Sequence, residues 1–174
     1  MPQTFFLKLG RPMQDLISFN KTNDNLTISG KYLFHDLDVN RLHHFIMNAE
    51  DYIPHDLINM KKLSIKNEHS RKTFTYRSFS ADADIVLKSQ DIENGKKVII
   101  SKYINILMFG MAKASVDWTI ENVGLNKTQL TCHGKVQISG VMADRIEKEM
   151  RKMCNNIIEN VMTRFHEQKI EFLH

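Results

Sequence analysis

At Ser139-Gly140 the apolar period of the chain changes, and that change constrains its fold more than any other feature. Before it, Ala112, Ala114, Val116, Trp118 and Ile120 face one way, while Lys113, Ser115, Asp117, Thr119 and Glu121 face the other. Leu130, Cys132, Val136 and Ile138 repeat the pattern against Thr131, His133, Lys135 and Gln137. A period of two marks strands with one buried face. Beyond the break, Met142, Ile146, Met150, Met153, Ile157, Val161 and Phe165 recur at steps of three and four. That spacing predicts one long helix, from about Val141 to Gln168, with a continuous apolar stripe. Asp144 with Lys148, and Glu147 with Arg151, are spaced to pair outside the stripe. The helix is expected to pack lengthwise on the sheet.

Upstream, Leu26, Ile28, Gly30, Tyr32 and Phe34 form one face of a first strand. Asp38 is placed to cap a short helix whose Val39, Leu42, Phe45 and Ile46 share a face. A second helical turn is expected over Pro54 to Asn59. Six further strands follow: Lys61 to Lys66, Lys72 to Phe79, Asp84 to Ser89, Lys97 to Leu107, Ala112 to Glu121 and Thr128 to Ile138. Gly134 falls on the apolar side of the last of these, which implies a bend or a close approach by another element. Residues 1–25 read as an N-terminal extension in which Phe5, Leu7 and Leu9 alternate as a short strand does, ending in the polar stretch Asn20 to Asn25. Residues 26–170 read as one domain.

Composition narrows the class. A chain of 174 residues buries roughly 70% of its extended-chain surface on folding, enough for a core that can hold a cavity. With 42% hydrophobic and 25% charged residues it is neither disordered nor collagen-like. Its uncharged apolar runs fall short of the roughly 18 residues that a membrane span needs. Two cysteines are too few for a disulfide framework and suit a reducing compartment, so the three sequons at Asn20, Asn25 and Asn126 are expected to go unused. The expected location is therefore intracellular. Cytoplasm is the first reading and mitochondrion the second, since Lys8 and Arg11 precede the first acid, Asp15. The net charge of +4 comes from 24 basic residues interleaved with 20 acidic ones. This argues against a nucleic-acid partner and leaves attraction to anionic lipid head groups open.

The order strand, two short helices, six strands and long helix resembles the helix-grip fold of the Bet v 1 and START-like superfamily. The resemblance is carried by the first strand running into Asp38 to Asn48, the break Asp51-Tyr52-Ile53-Pro54, the strand pair Ala112 to Ile138, and Gly140 before the final helix. The ending also resembles that of PRELI-like phospholipid carriers. The superfamily implies an α+β fold in which a curved seven-stranded antiparallel sheet wraps a long C-terminal helix around a hydrophobic cavity.

Alternate connections of an antiparallel sheet gather at the same end. The turns 67–71, 91–96 and 122–127 are polar, with Asn94-Gly95 a hairpin signal, and mark a solvated end. The opposite connections, 80–83, 107–111 and 139–142, are small or apolar. By resemblance this end is the cavity mouth. Met108, Phe109 and Met111, with Val141 facing them, are the candidate rim or membrane contact; the competing reading folds this tip onto the last helix as core. Val116, Trp118, Met142, Ile146, Met150 and Met153 are candidate ligand contacts, set against the commoner reading of such residues as plain core packing. Placed polar groups would orient a ligand in such a cavity. Lys102 shares a strand face with Ile100 and Ile104; Tyr103 and Asn105 take its place if the register is reversed. The cost of an unpaired buried ammonium favours a solvated Lys102.

No metal or cofactor is expected. His43 and His44 are adjacent, hence about 100 degrees apart on a helix, and no zinc-ligand spacing, phosphate loop or nucleophile elbow occurs. Cys132 lies in apolar surroundings that keep a thiol inert. The leading expectation is a non-enzymatic protein that binds or transfers a lipid or other hydrophobic small molecule. Two alternatives stand beside it. One is a START-like cyclase or hydrolase, for which Asp117, Glu121 and His133 fall on outward faces; the other is a module that grips a protein partner through the apolar rim.

Overall fold

Asp38 begins the first helix as the spacing predicts: its side chain accepts a hydrogen bond from the Arg41 backbone N–H at 2.9 Å. The computed structural model describes residues 3–4, 17–23, 25–48, 56–57, 60–68, 70–77, 82–107, 110–141 and 143–173. In chain order the described elements are β1 (Gln3–Thr4), β2 (Ser18–Thr22), β3 (Asn25–His35), α1 (Val39–Met47), β4 (Asp56–Leu57), β5 (Met60–Glu68), β6 (Arg71–Arg77), β7 (Asp82–Asp91), β8 (Lys97–Leu107), β9 (Gly110–Gly124), β10 (Lys127–Gly140), α2 (Ala143–Arg164) and β11 (Ile170–Phe172). All described pairings are antiparallel, in the order β1-β11-β3-β10-β9-β8-β7-β6-β5-β4.

The seven expected strands are present, most of them longer than their sequence signal. Four short ones join them. β2 and β11 share the outer edge of β3, β2 along residues 25–29 and β11 along residues 32–34. Backbone pairing creates these edges, so they carry little side-chain pattern to read. The second helical turn expected over Pro54 to Asn59 is not seen among the described residues: Asp56 and Leu57 instead pair with Lys61 and Met60. Part of the polar stretch Asn20 to Asn25 is a hairpin in which Lys21 and Thr22 pair with Leu26 and Asn25. Phe5, Leu7 and Leu9 lie outside the described residues.

One face of the curved sheet is largely apolar along β3, β9 and β10, and α2 lies against it. Leu26, Ile28, Tyr32 and Phe34 of β3, Ala112 to Ile120 at alternate positions of β9, and Leu130 to Ile138 at alternate positions of β10 are buried. Each fully buried Leu, Ile or Phe among them stabilises the fold by about 1.5–3 kcal/mol. The stripe of α2 is wider than a heptad reading implies, since Met150, Cys154, Ile157, Ile158, Val161 and Met162 are all buried. Phe165, just past the helix, meets the rings of Phe34 and Phe45 edge-on at 6.1 and 5.5 Å and so ties α2 to both β3 and α1. Nearer the start of α2, Glu147 accepts from Lys21 of β2 and from Arg151, whose guanidinium covers the Phe19 ring at 4.9 Å.

Two glycines have particular duties. Gly140 has φ 101°, a left-handed conformation that lets β10 stop and turn toward α2 without side-chain strain. At Gly134 a Cβ would fall 2.7 Å from Val116 Cγ2 and 2.9 Å from the Ser115 carbonyl oxygen. The close approach expected there is that of β9, its neighbour in the sheet.

Candidate ligand-binding site

The alternation of β8 turns Val98, Ile100, Lys102 and Ile104 to the apolar face, where each is buried. Lys102 is 2% exposed. Cross-strand pairing lines up Leu87, Lys102, Val116, Gly134 and Ile28 in one row, and Ile100, Trp118, Cys132 and Gly30 in the next. Lys102 is the middle residue of its strand, five positions from either end. Its aliphatic stem accords with this setting, but its ammonium does not.

The expectation of a solvated Lys102 is thus overturned. A strand has only two faces, and leaving Lys102 in water would bury the opposite residues Tyr103 and Asn105 and expose three branched aliphatics. Tyr103, the candidate under the reversed register, is 43% exposed and points away from α2, with Lys88 over its ring at 5.4 Å. It is not an interior ligand contact.

Among the described residues, the ionisable groups near Lys102 are few. Burial pulls its ammonium down to about 8, opposed by the thiols of Cys154 and Cys132. Burial in turn pushes Cys154 up to about 11 and Cys132 higher still, so both thiols are neutral at physiological pH. Neither is a counter-anion. Among the described residues, no hydrogen bond or ion pair reaches the Lys102 ammonium. Cys154 was not singled out by the sequence, although its place four residues after Met150 put it on the helix stripe.

Of the other candidate ligand contacts, Val116, Trp118 and Met150 are buried between sheet and helix at 4%, 4% and 1% exposure. Met108, Phe109 and Met142 lie outside the described residues, as do the side chains of Met111, Ile146 and Met153. Val141 is almost fully exposed, and Leu107 at the same end is half exposed. The far end is less uniformly polar than its composition implies. The tight turn between β9 and β10 leaves Leu125 91% exposed, and Val123 at the end of β9 and Ile92 in the β7–β8 connection are also uncovered. A half-open concavity of about 240 Å³ at that end is lined by Asp36, Leu37, Asp38, Asn122, Asn126 and Lys127. Asp117 and His133 lie exposed on the outer face, and Glu121 is within 3.8 Å of Lys97 there. No cluster of metal-ligating side chains occurs among the described residues, and no described helix is long and apolar enough to cross a membrane.

An antiparallel sheet curved around one long C-terminal helix defines a class, and comparison with solved structures identifies it. The chain is similar to a conserved protein from Geobacillus kaustophilus (12% identity, 82% of this chain and 99% of that one, TM-score 0.52). It is likewise similar to a hypothetical protein from Helicobacter pylori (11%, 79% and 86%, 0.54) and to the lipid transfer and protein localization domain of human StarD13 (12%, 86% and 83%, 0.51). The fold is START-like. No protein-family model matches the sequence, and no curated protein sequence does so.

Proposed function

We propose that this chain binds a lipid or other hydrophobic small molecule between the apolar face of its sheet and α2, and transfers it at membrane surfaces. The observation that carries this reading is the burial of Lys102, 2% exposed, in mid-strand on the apolar face of the sheet. Ligand cavities combine an apolar wall with a few placed polar groups, whereas a core that serves only packing has no use for a buried charge. The START-like fold supports the same reading, since one structural neighbour is described as a lipid transfer domain.

In this proposal Trp118, Val116 and Met150 are joined by Met142, Ile146 and Met153 in lining the ligand. Met108, Phe109, Met111 and Val141 form the mouth through which it enters. Removal of ligand surface from water drives binding at about 25 cal/mol per Å² of apolar area. Basic residues, worth about 1 kcal/mol each near an anionic bilayer, draw the mouth to the surface.

A vesicle assay tests the proposal. The protein is expected to accelerate movement of a fluorescent fatty acid or phospholipid from donor to acceptor vesicles in proportion to its concentration. Val141→Asp is expected to slow transfer several-fold while leaving binding in solution intact, because it charges only the rim. Transfer no faster than the spontaneous rate, for every lipid class tried, refutes the transfer role.

A further inference from the structure

Among the described residues, the ionisable groups that act on Lys102 are two thiols, and both are neutral. Cys132 approaches from β10 and Cys154 from α2; the strand partners Leu87 and Val116 bring no titratable group. The enclosure therefore has one cation and, among the described residues, no anion to balance it. On the described residues, a ligand that brings a single negative charge balances the site. A doubly charged phosphate monoester would replace a surplus positive charge with a surplus negative one, again without compensation in an apolar setting.

Depth narrows the choice further. Lys102 sits at mid-strand beneath α2, not at the mouth. A charge that meets it must lead the ligand inward, with the apolar remainder lying along Ile104, Ala114 and Ala112 toward the opening. A phosphodiester lipid would drag polar substituents on both sides of its phosphate into the apolar face. A carboxylate is compact and terminal, so it brings nothing else polar. Either of its two oxygens can accept from the ammonium.

Resting on the carrier reading above, we propose that Lys102 is a head-group site for a carboxylate, and that the ligand is a fatty acid or similar monocarboxylic amphiphile bound head-inward.

The test compares cis-parinaric acid with its methyl ester, which differ at the head and share the tail, binding to delipidated wild-type protein and to Lys102→Met at neutral pH. The wild type is expected to prefer the acid by roughly 10- to 100-fold, the range expected for a charge-assisted hydrogen bond in a desolvated site. In Lys102→Met the preference for the acid should be lost or inverted, because the carboxylate then meets an apolar wall without a partner, with ester affinity little changed. Equal binding of acid and ester by the wild type overturns the head-group assignment and leaves the carrier reading standing. Persistence of the acid preference in Lys102→Met also overturns it. Failure of the wild type to bind either probe removes the carrier reading and this inference together. If Lys102→Met does not fold, the wild-type comparison alone decides.

Discussion

Lys102→Met is expected to melt at a higher temperature than the wild type when both are free of ligand. The lysine is charged at neutral pH in the folded and the unfolded chain, but only the folded chain buries that charge. The fall from the ordinary value of 10.5 to about 8 corresponds to roughly 3 kcal/mol, taking about 1.4 kcal/mol per pH unit. Methionine keeps the unbranched stem and removes the charge, so the variant should gain roughly 1–3 kcal/mol, or about 3–10 °C.

The pH dependence has a definite sign. Between about pH 8 and 10.5 the folded lysine has shed its proton while the unfolded one retains it, so the contribution of Lys102 to stability rises with pH across that window. The gap between variant and wild type should therefore close as the solution becomes alkaline. Cys132, Cys154 and Tyr32 act in the opposite direction, because burial raises each above its ordinary value and the unfolded chain ionises first. They act in both proteins, so Tyr32 cancels in the difference and the thiols cancel apart from their own coupling to Lys102. Thermal melts of the pair at about pH 7 and about pH 10 measure it. A variant less stable than wild type at neutral pH would mean that the ammonium has a partner whose loss matters more than the buried charge.

Trp118→Ala is expected to have the opposite effect, and a larger one. Trp118 is 4% exposed, with Ile100 and Cys132 as its neighbours across β8 and β10. Truncating a buried aromatic of this size removes transfer free energy and leaves a void, a loss of about 3–5 kcal/mol in similar settings. That corresponds to a fall of roughly 6–20 °C in melting temperature. A loss below about 1 kcal/mol would show that the indole borders space already empty in the ligand-free chain, and would make it a cavity wall and not a packing residue.

These two residues also illustrate what was legible in the sequence. Strict alternation from Ala112 to Ile120 and from Leu130 to Ile138 placed Trp118 and Cys132 inward, because both strands have one wet face and one dry face. The stripe from Met150 to Phe165 likewise announced the helix that covers them. Lys102 exposed a conflict between two rules, one of periodicity and one of charge cost. Periodicity prevailed, since a single residue cannot rotate out of a strand whose neighbours on both sides are committed to the interior. The edge strands β2 and β11 were hidden for another reason: they are held by backbone hydrogen bonds to β3, and their largely exposed or half-exposed side chains need no pattern. The polarity of the far end was misjudged at Leu125, whose two-residue turn projects it beyond any surface on which it could pack.

The account as a whole depends on an interior that admits a guest beneath α2. Native mass spectrometry of the purified full chain, followed by organic extraction of the same sample, tests this most directly. The expected result is a population heavier than the polypeptide by one small hydrophobic molecule, recovered in the extract and restored when delipidated protein is incubated with vesicles. A spectrum holding the bare polypeptide alone, unchanged after exposure to lipid, would contradict the account.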